Sequence, residues 1–392
     1  MAIVQSNVDR RTASDHSAAA ATNDLRDVSI PNPRRTLRWV WIYFLYWSGL
    51  SRWAEARIAS LSGIVVLTLH RVLQDSDLSS TNTVPGMILK QSTFESLLKE
   101  IRKRSKIFTP SGASPSWNEE SGKTRIAITF DDGWEDNSRV VLPLLQRHRC
   151  LCTVFVCPEL VGKSNPFWPE KIVSLWRSAC DKPARLARLL AASNEYGLSV
   201  SSNNRDKLIP QNLIAQLKER KQADRNRIIE ELFKGQDIAE NVVDSTMKWQ
   251  EIIQLAKSGN FVGSHTQHHE ILTSLPALEA RTELVSSKQA VEQALGVECA
   301  LFAYPNGSWS PGVCELVKEA GYSIAFSNDV GVWTALTDRH LVPRVNIWEG
   351  SIVGPSGRFS PAAFTYAVFW RSYRAEARAR RRREVRSKTN ES

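Results

Sequence analysis

The chain has 392 residues, of which 42% are hydrophobic and 23% are charged. A chain of this length and composition can bury a large core, which excludes a protein that is disordered throughout. The formal net charge is +10, but residues 371–388 alone hold eight Arg and one Lys against two Glu. The positive charge therefore belongs mainly to a C-terminal segment and does not indicate a nucleic-acid-binding core.

The N-terminal part of the chain divides into two segments. Residues 1–35 are polar and mixed in charge, and we predict a disordered leader there. Residues 36–60 form a predicted aromatic amphipathic helical segment that is preceded by several Arg. Its apolar run of about a dozen residues is shorter than the ~20 that a membrane-spanning helix needs. Two interpretations stay open: a helix that lies in a membrane interface, or a core helix that packs on the domain.

From residue 63 onward, strand-like and helix-like patterns alternate. The strand-like runs are 63–69, 125–130, 150–156, 260–263, 300–304, 323–326 and 340–347. The helical stretches are 92–101, with Ser92 as its N-cap, 138–147, 249–258, 278–295 and 311–320. Repeated β-then-α units predict a parallel sheet, either open or closed into a barrel.

The same alternation gives the domain bounds. We predict a catalytic domain over residues 61–355, interrupted by a helical insertion at about 170–246, where the sequence is charged and lacks strand signals. Residues 356–392 form a predicted basic C-terminal tail.

Polar side chains follow three of the predicted strands, at the end where parallel α/β folds place their sites. Asp131 and Asp132 come directly after one buried strand, although an acidic turn that caps the next helix is an alternative interpretation. His265 and His269 follow another strand, and on a helical turn their spacing of four places both imidazoles on one face. The third place, 301–307, is a strand that ends in a tight Pro-Asn-Gly turn.

Taken in order, these three motifs resemble the polysaccharide deacetylase family, which is carbohydrate esterase family four, or the NodB homology domain. Thr-Phe-Asp-Asp-Gly at 129–133 is similar to its first motif, and His-Thr-Gln-His-His at 265–269 to its second. Phe-Ala-Tyr-Pro-Asn-Gly at 302–307 resembles the third. The resemblance covers about residues 62–350.

The resemblance implies an α/β fold, a distorted, incomplete (β/α) barrel of the polysaccharide deacetylase type, here with a helical insertion. It also implies a metal-dependent hydrolase that removes an N-acetyl group from an amino sugar in a poly- or oligosaccharide, in exopolysaccharide or capsule biosynthesis. By motif position, Asp132, His265 and His269 would hold a divalent metal: zinc, with cobalt or nickel as alternatives. Asp131 would be the general base.

The chain departs from the family pattern in two places. Many relatives carry an Arg that orients the base where this chain has Ala303, and Arg344, at the end of a late strand, is our candidate replacement. Many relatives also have a late Leu-His whose His is the general acid. Here the order is His340-Leu341, which makes His340 a candidate acid. His70 is a second candidate, although a structural role suits its position.

Three further residues are predicted to contact the substrate or its oxyanion. They are Tyr304, the backbone N–H of Asn306, and Trp168, which we place in a proline-bounded loop. The expected partner is an N-acetylated saccharide, and nucleic acid is not expected. We expect a cytoplasmic protein that contacts the anionic inner face of a membrane through both ends of the chain.

Alternatives to deacetylation stay open at this point. The chain could be a deformylase of a lipid-linked amino sugar, or a catalytically silent relative that only binds saccharides, since the motif Arg is missing at Ala303. A nucleic-acid binder that uses the basic tail is a third class.

Overall fold

The structure is a computed structural model that describes residues 33–117, 122–180, 182–199, 209–234 and 242–390. The predicted leader, 1–35, therefore lies almost wholly outside the described residues. The strands are β1 Ile64–Leu69, β2 Arg71–Leu73, β3 Ile88–Lys90, β4 Lys106–Ile107, β5 Arg125–Phe130, β6 Thr153–Val156, β7 Phe261–Ser264, β8 Leu301–Ala303, β9 Ile324–Phe326 and β10 Arg344–Asn346.

Helices connect and surround these strands. The helices are α1 Pro33–Trp47, α2 Leu50–Ser60, α3 Gln91–Arg104, α4 Leu142–His148, α5 Trp168–Cys180, α6 Pro183–Glu195, α7 Ile209–Lys218, α8 Gln222–Phe233, α9 Trp249–Lys257, α10 Ala277–Leu295, α11 Pro311–Glu319, α12 Glu349–Ile352, α13 Pro361–Thr365 and α14 Arg371–Asn390. A π-helical segment, Tyr366–Trp370, joins α13 to α14. Within the described ranges, no helix is both long enough and apolar enough to cross a membrane.

Eight strands form one parallel sheet in the order β10-β1-β5-β6-β7-β8-β9, with β4 paired to the first residues of β5. A parallel bridge between Phe326 and Val342 brings β9 against the chain just before β10, so the two ends of the sheet almost meet. The fold is thus a nearly closed (β/α) barrel, as the sequence predicted. Every residue of β1 and β5 is buried, which explains why these strands have continuous apolar runs without alternation.

Strand alternation separates the inside of the barrel from its outside. Ile64 and Val66 of β1 point into a small interior cluster with Phe155 and Trp333, whereas Val65 and its outward-facing neighbours pack under the helices. Trp333 also exchanges two backbone hydrogen bonds of 2.9 Å with Ile64, at the amino end of the barrel. Since the amino end is filled with apolar side chains, the polar residues that follow the strands gather at the carboxyl end.

The chain between β6 and β7 holds α5 to α8, and these helices share a hydrophobic core of their own. A buried guanidinium joins the end of this region to the barrel. Arg71 in β2 donates to Asp136 at 2.9 Å and also to Asp244, and its guanidinium lies 4.3 Å from the ring centroid of Trp134. All four side chains are buried.

Several details differ from the sequence predictions. α3 begins at Gln91 with Lys90 as its cap, so Ser92 lies inside the first turn and was wrongly placed as the N-cap. The aromatic segment is two helices, because Gly49 has a φ of 81° that ends right-handed helical geometry there. The barrel core also continues beyond the predicted bounds of 61–355, since Ile58 and Phe364 are fully buried in it.

Replacing Arg71 with Met should lower the free energy of unfolding by about 3–5 kcal/mol, because two buried carboxylates lose their shared cation. Urea unfolding followed by circular dichroism measures the change. Arg139→Met is the matched control, since Arg139 is 44% exposed and pairs with Asp77, and it should cost less than about 1 kcal/mol. Equal losses in the two variants would contradict this account.

Candidate metal centre

Asp132, His265 and His269 meet at the carboxyl end of the barrel, although Asp132 lies in the loop after β5 and both histidines lie in the loop after β7. One ligand atom from each residue lies within 4.8 Å of the other two. The Asp132 Oδ1 atom is 3.6 Å from His265 Nε2 and 3.3 Å from His269 Nε2. Asp132 and His265 are buried, and His269 is partly exposed. This is the spacing of three ligands around one small cation.

The hydrogen bond of His265 determines which of its nitrogens is free. His265 Nδ1 lies 2.7 Å from the carbonyl oxygen of Ala303, which can only accept, so Nδ1 carries the proton. Burial lowers the pKa of His265 to about 4, so the imidazole is neutral and Nε2 holds a lone pair. That lone pair faces Asp132 Oδ1, a buried atom with no hydrogen-bond partner among the described residues. Two acceptors directed at each other are unfavourable unless a cation lies between them.

The carboxylate of Asp132 is held in its charged form. Burial alone would raise the pKa of Asp132, but the nearby imidazole of His269, together with those of His70 and His265, holds that pKa below its usual range. The second oxygen of Asp132 accepts a 3.0 Å hydrogen bond from Trp134 Nε1, which fixes the orientation of the carboxylate. A buried anion and two imidazoles therefore fit a divalent metal such as zinc, cobalt or nickel.

Unusual backbone conformations create this arrangement. Four of the residues that follow strands at this end have positive φ: Asp132 at 74°, Thr266 at 66°, His269 at 63° and Asn306 at 57°. Non-glycine residues adopt such angles rarely, and strain of this kind concentrates at functional sites. The prediction that His265 and His269 project from one helical turn was wrong, because the left-handed angles in 265–269 are incompatible with a right-handed helix.

Asp131 lies beside this cluster in a two-pronged ion pair with Arg344. The two Arg344 Nη atoms donate to the two Asp131 oxygens at 2.7 and 2.8 Å, and both side chains are buried. Thr68 Oγ1 donates to the same carboxylate at 3.3 Å. Burial alone would raise the pKa of Asp131, but the Arg344 guanidinium reverses this effect and lowers it. Asp131 is therefore an oriented, ionised carboxylate.

Arg344 itself is fixed by its surroundings. It donates to the Ser327 carbonyl at 3.1 Å and to Asn328 Oδ1 at 2.9 Å. Gly307 of the third motif supports this arrangement, because its φ is 68° and a Cβ there would lie 2.4 Å from that of Asn328. Contrary to the sequence prediction, Arg344 does not end its strand but begins β10, so its long side chain runs along the barrel to reach Asp131.

Two predicted site residues lie elsewhere. His340 is at the amino end of β9, where its Nε2 lies 2.9 Å from the carbonyl oxygen of Tyr322, so the prediction of His340 as general acid was wrong. It precedes β10, and residues before a parallel strand lie at the end opposite the metal cluster. Tyr304 is fully buried in the core, and its hydroxyl donates to the carbonyl oxygen of His340 at 3.0 Å. Its side chain does not face the metal cluster, which corrects its predicted contact with substrate.

The other two predicted substrate residues differ in outcome. Asn306 stands in the loop after β8, and its side-chain oxygen accepts a 3.3 Å hydrogen bond from Lys218 of the insertion. Trp168 is the first residue of α5 and packs against the core of the insertion with Arg225 over its ring, so its placement in a loop was wrong. The aromatic ring beside the metal cluster belongs to Phe167, whose centroid is 5.0 Å from that of His269.

Sequence analysis did not identify Glu170 as a site residue, and it favoured a structural role for His70. Burial raises the pKa of Glu170 to about 8, and the charge of Asp132 adds to this shift. His70 is close enough to lower the pKa of both motif carboxylates, and its Nδ1 is buried without a hydrogen-bond partner among the described residues. Glu170 lies in a region with no motif, so only tertiary structure shows its position.

Comparison with known protein families identifies the family of this chain. The sequence profile of the family described as "Polysaccharide deacetylase" matches residues 118–325, which is more than half of the chain. The chain therefore belongs to the polysaccharide deacetylase family. No curated protein sequence matches it.

Three solved structures are similar to the chain at low sequence identity. The Streptococcus pyogenes deacetylase PplD, in complex with acetate, is 14% identical, with 78% of this chain and 98% of that chain covered and a TM-score of 0.50. IcaB from Ammonifex degensii is 18% identical, with 74% and 93% covered and a TM-score of 0.48. The deacetylase domain of BpsB from Bordetella bronchiseptica is 16% identical, with 73% and 96% covered and a TM-score of 0.45. At these identities the likeness concerns the fold alone.

Removing a ligand side chain should remove the metal. The protein reconstituted with zinc should hold about one ion per chain, and Asp132→Asn or His265→Gln should reduce this to near zero. His268→Gln is the matched control, because His268 is adjacent to His269 in sequence but its Nδ1 pairs with Glu283 at 2.6 Å. Elemental analysis after dialysis gives the stoichiometry. Full zinc content in both ligand variants would contradict the assignment of this centre.

Arg344→Gln should move the acidic limb of the pH–activity profile to higher pH by on the order of one unit. The reason is that Arg344 lowers the pKa of Asp131, so its loss leaves burial to raise that pKa, and the base is protonated over a wider acidic range. Lys218→Gln is the control, since it removes a charge that contacts Asn306 and not Asp131. If the acidic limb stays in place for Arg344→Gln, Asp131 is not the titrating base.

Proposed function

We propose that the protein is a divalent-metal-dependent deacetylase that removes the N-acetyl group of an amino sugar in a poly- or oligosaccharide. Family membership supports deacetylation as the reaction class. Dependence on a metal, with zinc as the first candidate, is supported by the unpaired Asp132 oxygen that faces His265 and His269. A role in exopolysaccharide or capsule biosynthesis belongs to the same proposal.

One observation carries the proposal: an ionised, oriented carboxylate lies beside a set of metal ligands. The Asp131–Arg344 pair and the cluster around Asp132 come from adjacent residues of one loop. Hydrolysis of an amide needs both a base for water and positive charge near the carbonyl oxygen. A purely structural metal site would not need the second buried carboxylate.

Each residue of the site has a separate role in the proposed hydrolysis. Asp131 accepts the proton of the water that attacks the acetamide carbonyl, and Arg344 holds it in position through two hydrogen bonds. When bound, the divalent cation polarises the carbonyl and lowers the pKa of the water. We assign the stabilisation of the oxyanion to the backbone N–H of Asn306, which lies in the turn after β8 and has a positive φ.

The amine that leaves must receive a proton from another group. Since His340 lies outside the site, we assign this step to His70, which follows β1 at the same end of the barrel. Its buried Nδ1 lacks a partner among the described residues, and its charge interacts with both Asp131 and Asp132. An imidazole is a common general acid in reactions of this kind.

Acetate release from soluble oligomers of N-acetylglucosamine, with zinc present, tests the proposal. Asp131→Asn should lower kcat/KM about 100- to 10,000-fold while the zinc content stays unchanged, because the base is lost and the ligands are kept. In the same assay, His70→Gln should lower kcat more than it raises KM.

The outcomes of this assay separate the competing functions. Formate release from N-formylated sugars, with no acetate from acetylated ones, would identify a deformylase. Tight saccharide binding without release of either acid would identify a silent binding protein. Zinc-independent acetate release, or an Asp131→Asn variant with full activity, would overturn the proposed mechanism.

A further inference from the structure

Exposed apolar side chains are concentrated on the two N-terminal helices. Of the twelve large hydrophobic side chains that are exposed among the described residues, eight lie between residues 37 and 61. Trp47 is 80% exposed and Leu37 is 67% exposed. Scattered exposed apolar residues are ordinary in soluble proteins, but a contiguous patch of this kind marks an interaction surface.

The patch occupies the side of α1 that faces away from the protein. Ile42 and Leu45 are buried, whereas Val40, Trp41 and Phe44 are exposed. The sequence left two interpretations of this segment open, a helix packed on the domain and a helix at an interface. α1 packs on α2 and α13, as the first interpretation expects, and it keeps further apolar side chains exposed.

The basic helix α14 begins beside this patch. Trp53 of α2 and Tyr373 of α14 are in edge-to-face contact, with ring centroids 4.9 Å apart. Arg371, Arg374 and Arg378 are exposed along α14, and exposed arginines continue to residue 382. The two ends of the chain therefore form one surface, which we call the terminal surface: α1, α2 and residues 371–383.

The dimensions and the charge of the terminal surface indicate what it contacts. α1 has 15 residues, so it is roughly 22 Å long, short of the ~30 Å hydrocarbon core of a bilayer. Tryptophan and tyrosine concentrate at the boundary between lipid and water, and arginines bind anionic headgroups. A protein partner would not require aromatic and strongly cationic zones side by side, whereas an anionic lipid surface matches both.

We propose that the terminal surface docks the protein on an anionic membrane, with the aromatic side of α1 in the interface and α14 at the headgroups. The proposal is independent of the reaction in the barrel. It also specifies the location expected from the sequence, the inner face of a membrane, as a surface to which the enzyme binds without crossing it.

Sedimentation of the full-length protein with vesicles tests this docking. Vesicles of phosphatidylcholine mixed with phosphatidylglycerol should bind the protein, pure phosphatidylcholine should bind it far less, and binding should weaken as salt is raised. Protein that stays in the supernatant with anionic vesicles at low salt would overturn the proposal.

Matched variants separate the apolar and the charged contributions. Trp41→Ser with Phe44→Ser should weaken vesicle binding at least about tenfold. Its control is Leu278→Ser with Leu336→Ser, because these two apolar side chains are even more exposed, at 76% and 74%, but lie outside the terminal surface. The control variant should bind like the unmodified protein.

The charged half of the surface has its own pair. Arg378→Gln, Arg381→Gln and Arg382→Gln together should weaken binding about fivefold for each charge removed. The control variant is Lys182→Gln, Arg188→Gln and Lys257→Gln, which removes three exposed charges elsewhere. It should have little effect on vesicle binding. Equal loss in the test and control variants would reduce docking to a general effect of net charge and would overturn the proposal.

Two further measurements make the outcomes unambiguous. Light scattering should show that the unmodified protein does not self-associate through the terminal surface. Self-association that is lost in the Trp41→Ser, Phe44→Ser variant would mean that this surface joins two copies of the chain, and the lipid proposal would fail. Acetate release from soluble oligomers should be unchanged in all terminal-surface variants. Failure of docking is therefore distinguishable from failure of the proposed deacetylase activity.

Discussion

The site depends on two hydrogen-bond acceptors that face each other in a buried space: Asp132 Oδ1 and the Nε2 lone pair of His265. Backbone structure enforces this arrangement from three directions. The loop after β5 turns Asp132 through a left-handed angle, β7 delivers His265, and the Ala303 carbonyl at the end of β8 holds the other ring nitrogen. Two facing acceptors are unfavourable unless a cation lies between them, so the electrostatics of this end of the barrel fit a metal site.

The sequence predicted the barrel well because its signal is local. Buried parallel strands produce continuous apolar runs, so strands such as β1 and β5 could be predicted from the sequence pattern. The short strands β2, β3 and β4 have no such run and were not predicted. The ligands Asp132, His265 and His269 were identifiable for a related reason: polar residues directly after such runs collect at one end of a barrel. What the sequence could not supply was loop geometry. Thr266 and His269 adopt backbone angles that no spacing rule anticipates, so the residues that the structure brings together were predicted with the wrong local structure.

Errors at His340 and Tyr304 have a common physical origin. Each lies within a few residues of a strand end, where nearness in sequence does not determine which end of the barrel a side chain occupies. His340 precedes β10 and belongs to the amino end, and Tyr304 turns into the core although its motif forms the site. Glu170 and Lys218 show the converse, because the insertion brings them to the site from a region without any strand signal.

The Asp131–Arg344 pair shows how a motif carboxylate can have a cationic partner although a residue of the motif is replaced. A buried carboxylate without a cation is strongly disfavoured, so some guanidinium or ammonium must reach Asp131. Related sequences place an Arg at the position of Ala303, on β8. In this chain the charge comes from β10, and a nearly closed barrel permits that exchange because both strands border the same interior. The physical requirement is a positive charge beside Asp131. Arg344 supplies it from a part of the sequence that no motif connects to Asp131.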